Sequence, residues 1–276
     1  MRIDAHQHFW EYNPIRDIWI DDTLAVLQNN FLPENLIPHL KENNIDGCIS
    51  VQADQSEKET AYLLQLAQKH HFIKGVIGWI NFQNTDVEKS LIHFKKYKKF
   101  KGVRHILQEQ VTGYMLQNSF LNGISLLQQF NLTYDILIYH FQLKETIQLI
   151  KKFPEQPFII NHIAKPNIKD KFIDIWKADI SELAKYDNVN CKISGMYTEA
   201  DRKNWKKEDF TPYFDVIFDV FKPDRLLFGS DWPVCLLASN YNQAINIVED
   251  YIKFLPYQEQ AAIMGNNAVK IYNLSK

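Results

Sequence analysis

Short apolar runs recur along the whole chain: Arg2–His6, Gly47–Gln52, Lys74–Ile80, Gly102–Ile106, Leu132–Ile138, Phe158–His162, Val189–Ser194 and Arg225–Ser230. Most are rich in Ile and Val and lack the long alternation of a sheet with one wet face, so they predict strands buried on both sides. Between them apolar positions return with helical spacing. Leu63, Leu64, Leu66 and Ala67 form one such patch; Ile147, Ile150 and Phe153 share a stripe within Leu143–Phe153, just before Pro154; Tyr213–Phe221 and Ala244–Phe254 repeat the pattern. Strand alternating with helix eight times, at roughly 34 residues per unit, predicts a (β/α)8 barrel. The alternative is an open doubly wound sheet, but no GxGxxG follows the first strand. With no linker, repeat or low-complexity stretch, residues 1–276 read as one domain.

Composition narrows the function classes. Lys plus Arg is 31 and Asp plus Glu is 33, a formal charge of −2, which offers nothing to draw nucleic acid or an anionic membrane. No apolar run approaches the roughly 18 residues that span a bilayer. The N-terminus lacks the apolar core of a signal peptide. Three scattered cysteines (Cys48, Cys191, Cys235) fit a reduced protein, and the cytoplasm is the expected compartment. Nine glycines argue against a glycine-rich phosphate loop, and arginine occurs only at positions 2, 16, 104, 202 and 225. A homodimer is compatible with all of this and demanded by none of it.

A barrel of this kind carries its chemistry at the C-terminal ends of its strands. The first strand ends Asp4-Ala5-His6-Gln7-His8. Side chains alternate, so His6 and His8 share a face and could meet one metal or one substrate, although many HxH pairs are only hydrogen-bonded core residues. Asp4 has the same parity and lies deeper, where a structural role fits it better. Asp231 follows the last apolar run, where burial would raise its pKa; it is placed to exchange a proton with water, or else it caps a loop. His162 ends the sixth run, and Lys165 beyond it is a substrate contact or a solvated loop lysine.

Arg104 and His105 end the fourth run on opposite faces, so only one looks into the barrel mouth. The scarcity of arginine favours Arg104 as a substrate or oxyanion contact, against a structural ion pair. Gln52 ends the second run as a hydroxyl contact. Trp10 and Trp232 flank the rim as stacking surfaces or plain packing.

Taken together, these pieces resemble the amidohydrolase superfamily, which carries an HxH on strand one, a histidine ending strand six and an aspartate ending strand eight. The segments Ile3–Trp10, Gly102–His105, Cys191–Gly195 and Leu227–Cys235 resemble more narrowly its "amidohydrolase 2" branch of sugar lactonases, the group that includes L-fuconolactonase and L-rhamnonolactonase. The similarity runs from residue 2 to about residue 272; DAHQHFW and FGSDWPVC are its specific motifs.

The resemblance implies a barrel that hydrolyses sugar-acid lactones to free aldonic acids. It implies His6, His8 and His162 as the site imidazoles, with Asp231 as general base. His6, His8 and Asp231, with His162 in reserve, are the expected metal ligands. Arg104 and His162 assist catalysis, and Gln52, Arg104, His105, Lys165, Trp10 and Trp232 contact substrate. Two departures matter: His140 lies past the fifth strand and is not assigned as a ligand, and no lysine ends the fourth strand to bridge two metals. One divalent metal at most, zinc before others, or none, is therefore expected. The alternatives are another metal-dependent hydrolase or decarboxylase of the superfamily acting on a small carboxylated substrate, and a non-catalytic binder of sugar acids.

Overall fold

A computed structural model describes residues 1–275. Eight parallel strands run in chain order around a barrel: β1 (Ile3–Gln7), β2 (Gly47–Val51), β3 (Ile73–Gly78), β4 (Phe100–Ile106), β5 (Thr133–Leu137), β6 (Phe158–Ile160), β7 (Val189–Ile193) and β8 (Leu226–Phe228). The helices between them are α1 (Pro33–Glu42), α2 (Glu57–Lys69), α3 (Val87–Lys95), α4 (Asn118–Gln129), α5 (Leu143–Lys152), α6 (Asp174–Leu183) and α7 (Thr211–Phe221), with α8 (Tyr241–Ile252) after the last strand. Each expected strand is present. β6 and β8 stop earlier than the apolar pattern suggests, so His162 and Asp231 stand on turns just beyond their strands.

Period-two alternation divides the apolar residues into two clusters. Ile3, Ala5, Ile49, Val51, Ile77, Ile159 and Leu227 fill the barrel interior, closed at the bottom by Ala268, Tyr272 and Leu274 from the C-terminal segment. The opposite faces, among them Cys48, Val103, Tyr134, Ile136, Ile160, Cys191 and Phe228, pack against the helices. Inside-facing positions higher in the barrel are polar or charged: Arg104, Asp135, Asn161 and Lys192 are all buried. An apolar floor with charged groups above it is how this barrel holds a site rather than a filled core.

Strand β1 breaks the alternation. Asp4 pairs with Cys48 and Gln7 with Ser50, so β1 carries one residue more than β2 over this stretch. Such a bulge re-aims side chains. His6 and His8 turn inward, whereas Asp4 points outward, where Tyr241 of α8 donates to it (3.1 Å). The equal parity expected for Asp4, His6 and His8 is thereby corrected.

Asp4 stitches the barrel shut from outside, accepting from the Ser230 amide (2.9 Å), the Ser230 hydroxyl (2.5 Å) and the His6 amide (3.1 Å). Asp231 N–H donates to the His6 carbonyl (2.8 Å) and His8 N–H to that of Trp232 (2.7 Å), so β1 is joined to the chain after β8.

Helix α2 begins with Ser56 accepting from the Glu59 amide (3.1 Å), and the Glu59 carboxyl turns back to accept from the amides of Ala53 and Asp54 (2.7 Å to Asp54). Burial outweighs these bonds and pushes the Glu59 pKa up from 4.5 to about 8. A carboxyl raised on folding contributes stability that is complete below about pH 4.5 and lost as pH rises through about 8. Glu59→Gln keeps an acceptor and removes the titration. Its melting temperature should fall less than that of the natural protein between pH 5 and 8; parallel melting curves across that window would refute this account.

Candidate active site

The C-terminal mouth of the barrel opens into a cavity of about 500 Å3 whose wall includes His8, Trp10, Arg104, His162, Lys165 and Asp231. Asp231 is its hub. One carboxylate oxygen lies 3.7 Å from His6 Nε2, 3.5 Å from His8 Nε2 and 3.8 Å from His162 Nε2. Burial pushes the Asp231 pKa up, but its interactions with His162, His8 and the Lys165 ammonium outweigh it and the net shift is downward. The upward shift expected from burial alone is corrected: Asp231 is ionised at neutral pH. Burial lowers all three histidines, His162 to about 3, so they are neutral rings.

Several backbone positions are unusual. His162, Ile163, Ala164 and Lys165 all have positive φ (53, 48, 60 and 47°), as does Asp231 (56°). Non-glycine residues pay roughly 1–2 kcal/mol each there, and in this chain they form the turns that aim His162, Lys165 and Asp231 at one space. Gly195 (φ 62°) faces them; a Cβ on it would lie 2.6 Å from His162 Nδ1. Ser194 Oγ sits 2.8 Å from that same nitrogen. Gly195→Ala should therefore displace the His162 ring and lower kcat by about 10²-fold, the cost of misplacing a group in the site by about 1 Å. An alanine variant with unchanged kcat would show that His162 can move freely.

Arg104 also lines the cavity. Its guanidinium donates to the main-chain carbonyl and Oε1 of Gln52 (3.2 Å to Oε1) and to Asn161 Oδ1 (3.4 Å), and lies 3.3 Å from His6 Nε2. Burial lowers its pKa to about 10, which leaves it a cation at neutral pH. Beneath it Lys192 donates to Asp135 (2.6 Å), which also accepts from Asn161 (3.0 Å) and Tyr272 (3.2 Å).

Some residues expected at the substrate lie elsewhere. His105 faces outward, bonded to the Ile80 carbonyl (3.0 Å) and packed on Phe82 and Phe120, because Arg104 takes the inward position. Gln52 is buried beneath the wall and holds Arg104. Trp232 is buried against Phe9 and Phe31, not on the cavity. His6 is wholly buried behind Asp231. His140 opens a turn after β5, 3.1 Å from the Lys165 carbonyl.

Trp10 and Lys165 do line the cavity, Lys165 paired with Glu199 at 3.3 Å. The sequence reading overlooked Asp135, Lys192 and Trp19. A lone charge inside an otherwise apolar strand, as in Thr133–Leu137 and Val189–Ile193, was the available signal for the first two.

His6, His8 and Asp231 each present a ligand atom, all within 4.8 Å of one another. Two imidazole nitrogens and a carboxylate oxygen fit one divalent cation of the zinc class.

The amidohydrolase family model matches residues 3–274. The chain belongs to the amidohydrolase family. This amidohydrolase is 33% identical to an L-fucono-1,5-lactonase of Burkholderia multivorans, over 99% of this chain and 96% of that one. It is 30% identical to an L-fucono-1,5-lactonase of Burkholderia ambifaria, over 100% and 96%. A crystal structure of an amidohydrolase from Burkholderia multivorans with bound zinc superposes with a TM-score of 0.96 at 33% identity, covering both chains fully. No helix among the described residues is long and apolar enough to cross a membrane.

Proposed function

We propose that this amidohydrolase hydrolyses a sugar-acid lactone, of the L-fucono- or L-rhamnonolactone kind, to the free aldonic acid. The observation that carries the reading is that one cavity brings together an acceptor pair, Asp231 with His8, and a buried cation, Arg104. The relatives named as L-fucono-1,5-lactonases support the substrate class.

His8 Nδ1 donates to the Val51 carbonyl (2.8 Å), so its neutral ring turns a lone pair toward Asp231. Two acceptors 3.5 Å apart hold a water that donates to both. Asp231 takes one proton from that water as its oxygen bonds to the lactone carbonyl carbon. The carbonyl π pair moves onto oxygen, facing the Arg104 cation. On collapse the bond to the ring oxygen breaks, and Asp231 returns the proton to that oxygen as it becomes a hydroxyl. Glu199, Lys165 and Trp10 line the remaining wall, where sugar hydroxyls and a ring face are accommodated.

A divalent cation held by His6, His8 and Asp231 would supply Lewis acidity at the same place. An ester with an alkoxide leaving group needs less of that help than an amide. Buried free cysteines suit the reducing cytoplasm.

The test is acid release from a panel of aldonolactones, followed with a pH indicator near neutral pH. Fast, selective hydrolysis of a six-deoxy sugar lactone is expected. Folded protein that matches only the spontaneous rate across the panel would overturn the reading in favour of decarboxylation or amide hydrolysis.

A further inference from the structure

Glu59 stands in the first turn of α2, where a glutamate ordinarily accepts from the amide of the residue that caps the helix. Here that amide, of Ser56, donates to the Asp54 carbonyl instead (3.0 Å), and the Glu59 carboxyl reaches past it toward the end of β2. Both of its oxygens lie 3.1 Å from the Ala53 nitrogen, and Oε2 also accepts from the Asp54 amide (2.7 Å).

The Ala53 N–H shares one peptide plane with the Gln52 carbonyl. That peptide is trans, so its N–H and C=O point in opposite directions. On the carbonyl side stands Arg104, whose Nη2 donates to the Gln52 carbonyl and to Gln52 Oε1 (3.2 Å). Among the described residues the only other oxygen that this guanidinium bonds is Asn161 Oδ1, at 3.4 Å. The preceding peptide is pinned separately, since Gln52 N–H donates to the Ile77 carbonyl of β3 (2.8 Å). The plane between Gln52 and Ala53 is therefore clamped at one end by Glu59 and at the other by Arg104. The side chains of Gln52, Glu59 and Arg104 are all buried, where bonds in such a chain strengthen one another.

We propose that Glu59 is a positioning residue for Arg104: by accepting the Ala53 N–H it fixes the peptide plane whose carbonyl holds the guanidinium in the cavity wall. With no acceptor at residue 59 the plane is held from one end only, and the guanidinium shifts with it. The effect on turnover rests on the lactonase reading above; the coupling between Glu59 and Arg104 does not.

The test is 15N NMR of the Arg104 Nε–H, assigned as the signal lost in Arg104→Lys, together with steady-state kinetics. In Glu59→Leu, which has no acceptor, the Arg104 signal should move. There kcat should fall by about 10–100-fold, the upper figure being the cost of misplacing a site group by about 1 Å, with KM little changed because Arg104 acts on charge that develops only in the reaction. Glu59→Gln, with its amide oxygen in the place of Oε2, can still accept from both amides and should restore most of the natural signal position and kcat. A purely structural role for Glu59 would lower the melting temperature and leave both readouts unmoved well below it.

An Arg104 signal that stays in place in Glu59→Leu overturns the proposal, as does an unchanged kcat or a kcat that the glutamine variant does not recover. If the leucine variant does not fold, Glu59→Asp decides, since it withdraws the carboxyl by one methylene: a shifted Arg104 signal with lowered kcat supports the proposal, and two unchanged readouts overturn it. If no lactone is turned over while the Arg104 signal moves in the leucine variant and returns in the glutamine one, the lactonase reading fails and the coupling stands.

Discussion

Asp231→Asn should lower kcat on the preferred lactone by at least about 10²-fold, the lower end of what general acid–base catalysis supplies. Asparagine keeps the shape of the side chain and loses the proton-accepting charge. The loss is large because Asp231 alone among the described residues places a carboxylate within 4 Å of all three imidazoles (3.5, 3.7 and 3.8 Å), and because its lowered pKa keeps it ionised and able to accept a proton at neutral pH. The anchoring of its turn lies in the backbone, through Asp231 N–H to the His6 carbonyl and Ser230 to Asp4, and survives the substitution. Circular dichroism and melting should therefore change little. A variant with near-natural kcat on the same substrate would remove Asp231 from the mechanism.

Arg104→Met should cost about 10²–10³-fold in kcat, the scale of removing one preorganised donor from an oxyanion site. Arg104 is a buried cation on the wall of the cavity that also holds Asp231. Its fork is held by Gln52 and Asn161 before any substrate arrives. Arg104→Lys should recover only part of the loss: a lysine retains the charge but cannot bond Gln52 and Asn161 from one rigid plane. Steady-state kinetics of both variants test this. Equal activity of the lysine variant and the natural protein would reduce Arg104 to a diffuse positive charge; full activity of the methionine variant would exclude it from charge stabilisation.

Much of the site was legible because strand ends in a barrel converge whatever the loops do. Once eight apolar runs are placed in order, residues 6, 8, 104, 162 and 231 fall at one mouth, and the rarity of arginine singles out Arg104. Three features escaped for separate reasons. The β1 bulge changes side-chain parity through an extra residue, visible only in the pairing with β2. The positive-φ turns at residues 162–165 and at Asp231 use non-glycine residues, so composition gives no warning of them. Trp232 and His105 looked like rim residues, yet both turn into the packing outside the barrel interior.

By itself, then, the sequence determined the eightfold alternation, the position of the mouth and the set of side chains that could meet there, because burial on both faces fixes strand and helix periods locally. The tertiary structure decided which way each side chain faces and in what electrical state it sits. Asp231 is buried among imidazoles from β1 and from the turn after β6; Lys192 reaches His6 across 186 positions of chain. Such shifts arise from charges and desolvation that exist only once distant segments share one small, dry volume.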